Sequence, residues 1–262
     1  MVRRARLDAE LVRRGLARSR EQAAELVHAG RVRVGGSTAT KPATAVDPAT
    51  PVLVEERPDR PEYASRGGHK LAGALDELPI EVEGRRVLDA GASTGGFTDV
   101  LLRRGAREVV AVDVGYGQLA WALRTDPRVS VHDRTNVRDL TPEAIGGPAE
   151  LTVADLSFIP LTLVLPALAA CTTADGDLLP MVKPQFEVGK ERVGAGGVVR
   201  DPALRTEAVH AVAAAAYGLG LGTAGVVRSP LPGPAGNVEF FLWLRRGAPA
   251  PDADRIATVV AG

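Results

Sequence analysis

Cysteine occurs once in 262 residues, at Cys171, which excludes an internal disulfide framework and a zinc site built from several cysteines. Histidine occurs four times, and His28, His69, His132 and His210 lack metal-ligand spacing, so no metal centre is expected. The charged start Met1-Val2-Arg3-Arg4-Ala5-Arg6-Leu7-Asp8 has no apolar signal core behind it. The longest uncharged run, Ala208 to Val227, is long enough for a membrane span, but it is mostly Ala and Gly and contains His210. It reads as a helix followed by a strand, so no membrane partner is expected and the cytoplasm is the expected location. Lysine is also scarce, at Lys41, Lys70, Lys183 and Lys190, against 28 arginines. Arginine is the generic cation of this chain. A lysine therefore marks a place where a removable proton has a use, because arginine in practice keeps its own; composition bias is the other source of that contrast.

Apolar residues make up 45% and charged residues 24%, the balance of an ordinary globular chain. The net charge is zero, but it is unevenly spread. Residues 1–41 carry ten basic and four acidic side chains, while the remainder carries 22 basic and 28 acidic. A basic head on a mildly acidic body suggests a polyanion-binding module joined to something else, with a solvated arginine face as the plainer reading.

Within the head, Leu7, Leu11 and Val12 have helical spacing and Gly15 follows as a C-terminal cap. Ser19 and Gln22 fit a capping box that opens a second helix ending near His28 and Gly30. Arg31 to Val34 alternates as a strand, and Gly35-Gly36 makes a turn. The pattern Arg6-Leu7-Asp8, Leu11-Val12, Gly15-Leu16, Ser19-Arg20, Ala23, Gly30, Val32, Val34-Gly35-Gly36 and Lys41-Pro42 resembles the alpha-L RNA-binding motif of a small-subunit ribosomal protein and of pseudouridine synthases. That resemblance implies phosphate contacts from Arg3, Arg4, Arg6, Arg18, Arg20 and Lys41.

Pro48, Pro51, Pro58 and Pro61, with Glu55, Glu56, Asp59 and Arg60, mark an exposed join. From Arg85 onward strands and helices alternate. Strands are expected at 86–89, 108–113, 129–132, 151–155 and 177–183, and helices at 97–104, 161–170 and 204–219. Two late strands, near 222–228 and 238–244, are expected to close the sheet antiparallel. The fold class is α/β: a Rossmann-like, mostly parallel sheet with ligands at the strand C-termini, behind a small α+β head. The expected divisions are a head at 1–59, a linker at 60–64, a main domain at 65–247 and a tail at 248–262.

Asp89-Ala90-Gly91-Ala92-Ser93-Thr94-Gly95-Gly96-Phe97 joins the first main-domain strand to its helix. Its small residues let the backbone approach a ligand closely. The loop is neither Gly-x-Gly-x-x-Gly nor a P-loop. Asp113 ends the next strand, where a carboxylate accepts from ribose hydroxyls. The combination suits S-adenosylmethionine (SAM), with a plain tight turn as the alternative. Asp133 and Asn136 follow the third strand, where an adenine would lie, or serve as turn caps.

Lys70, Asp155, Lys183 and Glu239 stand at strand ends or beside glycines, where charge is costly unless paired. Two lysines balance two carboxylates, and clustered ammonium groups make one lysine a better proton acceptor. The stretches SRGGHKL, DAGASTGGFTD, VDVGYGQL, RTNVRDLTPEAI, VADLSFI, VKPQFEVG and GPAGNVEFFLW resemble the TlyA family of ribosomal-RNA ribose 2′-O-methyltransferases, whose members have also carried the name hemolysin. The resemblance implies an FtsJ-like catalytic domain that uses SAM. It implies a Lys-Asp-Lys-Glu tetrad at Lys70, Asp155, Lys183 and Glu239, and cytidine 2′-hydroxyls in large-subunit rRNA as substrate. Longer members with a basic N-terminal start are expected to act on small-subunit rRNA as well, so the partners are ribosomal subunits. The FtsJ branch has Pro where this chain has Thr94. Lys183 is expected to accept or orient the ribose proton, Asp155 to hold Lys183, and Lys70 with Glu239 to tune it. Phe158 reads first as a core residue, with a stacking surface for a displaced base as the alternative. The Asn/Asp-Pro-Pro-aromatic motif of base-amine methylation is absent, and Cys171 follows an apolar run and looks structural.

Overall fold

Ser19 Oγ accepts a hydrogen bond from the Gln22 amide (3.1 Å) and opens the second helix of the head, as its capping pattern requires. In this computed structural model, residues 4–17, 19–55 and 63–262 are described. The chain divides into two compact units, Met1–Pro61 and Glu62–Gly262. The first is built from β1 (Ala5–Arg6), α1 (Leu7–Arg13), α2 (Arg20–His28), β2 (Val32–Val34), β3 (Ser37–Thr38), β4 (Ala45–Val46) and β5 (Val52–Val54). Leu7, Leu11, Ala23, Val27, Val32 and Val46 form its core. Gly15 and Gly30 end the two helices with positive φ. The stretch carrying Pro48 and Pro51 lies inside the head, as the 1–59 division expects and the proline-marked join does not, because β5 pairs antiparallel with β2 (Val32↔Val54, Val34↔Val52). Its partner lies twenty residues upstream, which no local pattern reveals.

The second unit contains α3 (Arg66–Glu77), β6 (Arg86–Ala90), α4 (Gly96–Arg103), β7 (Glu108–Val112), α5 (Trp121–Arg124), β8 (Val129–His132), β9 (Ala149–Ala154), α6 (Leu165–Ala170), β10 (Thr172–Val182), α7 (Pro184–Glu187), α8 (Pro202–Gly218), β11 (Leu221–Arg228), β12 (Phe240–Arg246) and α9 (Ala253–Ala261). Seven strands form one sheet in the order β11-β12-β10-β9-β6-β7-β8. All neighbours from β10 to β8 run parallel, and β12 is antiparallel to both β10 and β11. Alternate residues serve opposite faces. Leu88, Val110, Leu178 and Val182 meet α6, α8 and α9 in one apolar layer. Val87, Val109, Leu179 and Met181 meet α3 and α4 in the other. Burial on both faces explains why these strands read as continuous apolar runs.

Two expectations are revised. The 161–170 run is broken at Val164 into a 3-10 turn (Leu161–Leu163) and α6, with Pro166 in the first turn of α6, where its missing N–H costs nothing. Residues 248–262 are not a free tail. Asp252 caps α9, and Ile256 and Val260 enter the core shared with α8.

Candidate active site

The strand ends place most of the charged residues singled out by sequence. Asp113, Asp155 and Lys183 are each the first residue after β7, β9 and β10, and Glu239 immediately precedes β12. Because β12 runs antiparallel to β10 with Val182 opposite Phe240, Lys183 and Glu239 emerge at one edge of the sheet. Lys70 comes from α3, whose start packs against that edge. A Cβ on Gly67 would lie 3.7 Å from Asp155 Oδ2, and one on Gly96 would clash with Ser65 Oγ. These glycines let α3 and the loop before α4 touch.

The four residues form two ion pairs. Lys183 Nζ lies 2.6 Å from Asp155 Oδ1, and Lys70 Nζ lies 2.5 Å from Glu239 Oε2. The second pair is deeply buried, with side-chain exposures of 8% and 1%. Lys183 is nearly as buried at 9%, while Asp155 is more open at 23%. Ser229 N donates to the Glu239 carbonyl (2.8 Å), and Gly233 leaves room for the Glu239 carboxylate, where a Cβ would approach Oε1 to 2.5 Å. Asn237 holds the neighbouring loop by accepting from Val199 N (2.9 Å) and donating to Gly197 O (2.8 Å). Ser157 was missed from sequence. Its Oγ accepts from Lys183 Nζ at 2.8 Å. Adjacency to Asp155 is the one signal that could have found it.

The glycine loop lies beside these pairs. Asp113 braces it: Oδ2 accepts from Ser93 N (2.8 Å) and Oδ1 from Gly115 N (2.7 Å). Each oxygen keeps a lone pair for a further donor, such as a ribose hydroxyl. Ser93 takes φ +48 and Gly91 φ +87, the left-handed conformations of a loop folded back tightly on itself. Thr94 accepts from Ala120 N (3.2 Å) through its carbonyl. Gly95, at φ +98, leaves space for Leu119 and Leu123. Asp89 lies behind the loop, fully buried. Thr98 Oγ1 donates to its Oδ2 (2.6 Å), and burial pushes its carboxyl up to about 7. Gly96 and Phe97 begin α4, but the Phe97 ring is core, 6.0 Å from that of Phe241. Asp133 is engaged by Arg124 Nη1 (2.8 Å) and Gly117 N (3.3 Å), and the Arg124 bond holds its carboxyl below the usual range. Asn136 caps a 3-10 turn by accepting from Arg138 N (3.1 Å), which is the turn-capping alternative.

Phe158 is not a core residue. It is 91% exposed with φ +65, and its ring lies 5.3 Å from Phe186. Its neighbour Ser157 touches Lys183, so this aromatic surface borders the ion pair.

In the head, Arg6 pairs with Asp8 through two bonds (3.1 and 2.9 Å), and Arg20 Nη2 joins the same carboxylate (3.1 Å). The Arg6 hydrogen bond, with Arg20 helping, holds the Asp8 carboxyl well below its ordinary range. Both arginines remain more than half exposed. Arg4 and Lys41 are exposed, and Arg3 and Arg18 lie outside the described residues. Among the described residues, no helix is long and apolar enough to cross a membrane.

Comparison with known proteins agrees with this division. Residues 63–246 match the model of the FtsJ-like methyltransferase family, and residues 5–52 match the S4 domain. The chain is 66% identical over 245 residues to the 16S/23S rRNA (cytidine-2′-O)-methyltransferase TlyA of Mycobacterium tuberculosis, covering 94% of this chain and 91% of that one. It is 35% identical to the 23S rRNA (cytidine-2′-O)-methyltransferase TlyA of Campylobacter jejuni, over 69% of this chain and 70% of that one. A solved structure from Streptococcus thermophilus that carries the name hemolysin is 39% identical, with a TM-score of 0.79 across 100% of this chain and 96% of its own. With the paired lysines and carboxylates, the glycine loop and a separate S4 head, the chain belongs to the FtsJ-like methyltransferase family, in its TlyA branch.

Proposed function

We propose that this chain transfers a methyl group from S-adenosyl-L-methionine to the 2′-hydroxyl of cytidines in ribosomal RNA of the large subunit, and of the small subunit as well. The observation that carries this reading is the Lys183–Asp155 ion pair, set beside the Lys70–Glu239 pair at the sheet edge that also bears the glycine loop. The family supports the chemistry, and the Mycobacterium tuberculosis relative, named for both rRNAs, supports the two-subunit assignment. Ribosomal subunits as partners place the work in the cytoplasm.

The loop fits this cofactor. Gly91, Ser93, Thr94, Gly95 and Gly96 offer close backbone approach, and Asp113 has acceptor capacity left for ribose hydroxyls. Asp89 backs the loop, Phe97 supports it from the core, and Asp133 and Asn136 border the adenine side. When bound, SAM supplies a methyl group on a cationic sulfur, open to displacement. The chain's own residues do the rest. Lys183 holds the ribose 2′-oxygen and manages its proton, a contribution of about 10²–10⁴ in rate. Asp155 keeps the Lys183 amine in place. Lys70 and Glu239 neutralise one another and fix α3 against β12 beneath the reacting pair. Phe158, presented outward, stacks on the displaced cytosine. In the head, Arg3, Arg4, Arg6, Arg18, Arg20 and Lys41 contact phosphates, which gives affinity and placement and a strong salt dependence.

The test is transfer of radiolabelled methyl from SAM to separated, unmodified ribosomal subunits, with Lys183→Ala alongside. The expected result is label in cytidine ribose on both subunits, none with the variant, and unchanged SAM binding by the variant. Turnover by Lys183→Ala would overturn the catalytic assignment. Label on the large subunit alone would overturn the two-subunit reading.

A further inference from the structure

Two side chains orient Lys183 Nζ. Asp155 Oδ1 is 2.6 Å from Nζ. At that distance the pair is a charge-assisted contact that draws one N–H of Lys183 toward the carboxylate. The Ser157 bond is directional: Nζ donates to Oγ at 2.8 Å with hydrogen-bond geometry. Ser157 is itself exposed, so it reaches the buried amine from the open side, where RNA must arrive. In the loop that follows it, Phe158 takes a left-handed φ and Glu187 accepts from Leu161 N (2.9 Å).

We propose that Ser157 is a positioning residue that aims Lys183 at the ribose 2′-oxygen; this rests on the methyltransferase reading above. A lysine ammonium has three N–H donors arranged tetrahedrally and no acceptor. One direction is spent on Ser157 Oγ, and the carboxylate of Asp155 attracts a second. The remaining position on Nζ, whether an N–H or the lone pair of the neutral amine, then points to one place. Without the serine hydroxyl, the hydrogens on Nζ lose one of the two contacts that fix their rotation about the Cε–Nζ bond, while Asp155 keeps the amine in place. Binding survives and alignment is lost, and loss of alignment lowers the chemical step.

The experiment compares Ser157→Ala, Ser157→Thr and Ser157→Cys with the wild-type full chain on purified ribosomal subunits. SAM affinity is read by calorimetry and the fold by thermal melting. Ser157→Ala and Ser157→Cys are expected to lose tenfold or more in kcat, with KM for the subunit and Kd for SAM within about twofold. Ser157→Thr, which keeps the hydroxyl, is expected to recover to within about threefold of wild type. Wild-type kcat in Ser157→Ala overturns the proposal. So does a loss confined to KM, which would make Ser157 an RNA contact, or a Thr variant as slow as the Ala variant, which would make the site one of packing. Failure of the wild-type chain to methylate ribose would overturn the function reading instead, so the two failures are distinguishable.

Discussion

The backbone carbonyl of Asp155 lies so close to Gly91 that a Cβ on the glycine would sit 2.6 Å from the oxygen. The glycine loop and the strand end that carries the Asp155 carboxylate are thus in backbone contact, at a residue with φ +87. Gly91→Ala meets both a clash and a strained φ, costing about 1–3 kcal/mol for the conformation alone. The expected outcome is a lower melting temperature and at least tenfold weaker SAM binding, measured by calorimetry.

The Lys70–Glu239 pair is buried enough for its halves to depend on each other. Removing one partner leaves an uncompensated charge, so Lys70→Met is expected to cost about 3–5 kcal/mol. The double variant Lys70→Met/Glu239→Gln carries no net buried charge and should recover most of that loss. Urea unfolding of the four species gives the coupling directly. Methyl transfer by the recovered double variant should stay well below wild type, which separates the pair's part in the reaction from its part in the fold.

Phe158 contributes little to the core, being almost fully exposed. Phe158→Ala should change stability by no more than about 0.5 kcal/mol. Stacking on a base is worth about 1–3 kcal/mol, so transfer to RNA should fall roughly tenfold while SAM binding is unchanged. Phe158→Gly should be slightly more stable than wild type, because φ +65 costs glycine nothing. A melting curve and a transfer assay on the same preparations check both.

Burial pushes the Glu187 carboxyl up to about 7 from an ordinary value near 4.5. The folded state therefore holds a proton that the unfolded state has released. The associated stability is full below about pH 4.5 and is lost as pH rises through about 7, by no more than about 3 kcal/mol. Glu187→Gln keeps an acceptor for Leu161 N and removes the titration. Wild type minus variant should become less favourable between pH 5 and 8 in urea unfolding. Asp8 and Glu10 of the head have the opposite sign, since arginine hydrogen bonds depress both, and they lose their contribution in acid.

Residue types that serve few purposes made most of the site legible. A chain with four lysines displays Lys70 and Lys183, and small residues after an apolar strand announce a backbone meant for close approach. What escaped has physical causes. The helix α3 carries Gly67, Gly68 and Gly73, which weaken any helical pattern, yet added Cβ atoms at Gly68 and Gly73 would strike Tyr63 and Pro230. Packing, rather than propensity, made those choices. An aromatic after an apolar strand reads first as core, so the outward turn of Phe158 stood only as the alternative. Ser157 has no periodicity to betray it, because its role depends on a side chain that arrives from 26 residues away.

The position of β12 in the sheet has a consequence for biosynthesis. Lys70 and Glu239 are separated by 169 residues, and β12 inserts between two strands made before it. A nascent chain that has not yet emerged past Arg246 has Lys70 without its carboxylate and β10 without one of its neighbours. Such non-local pairing is the slow part of folding. The Lys70–Glu239 pair therefore forms only after the chain has been made past Glu239, and products of translation interrupted before that residue lack it.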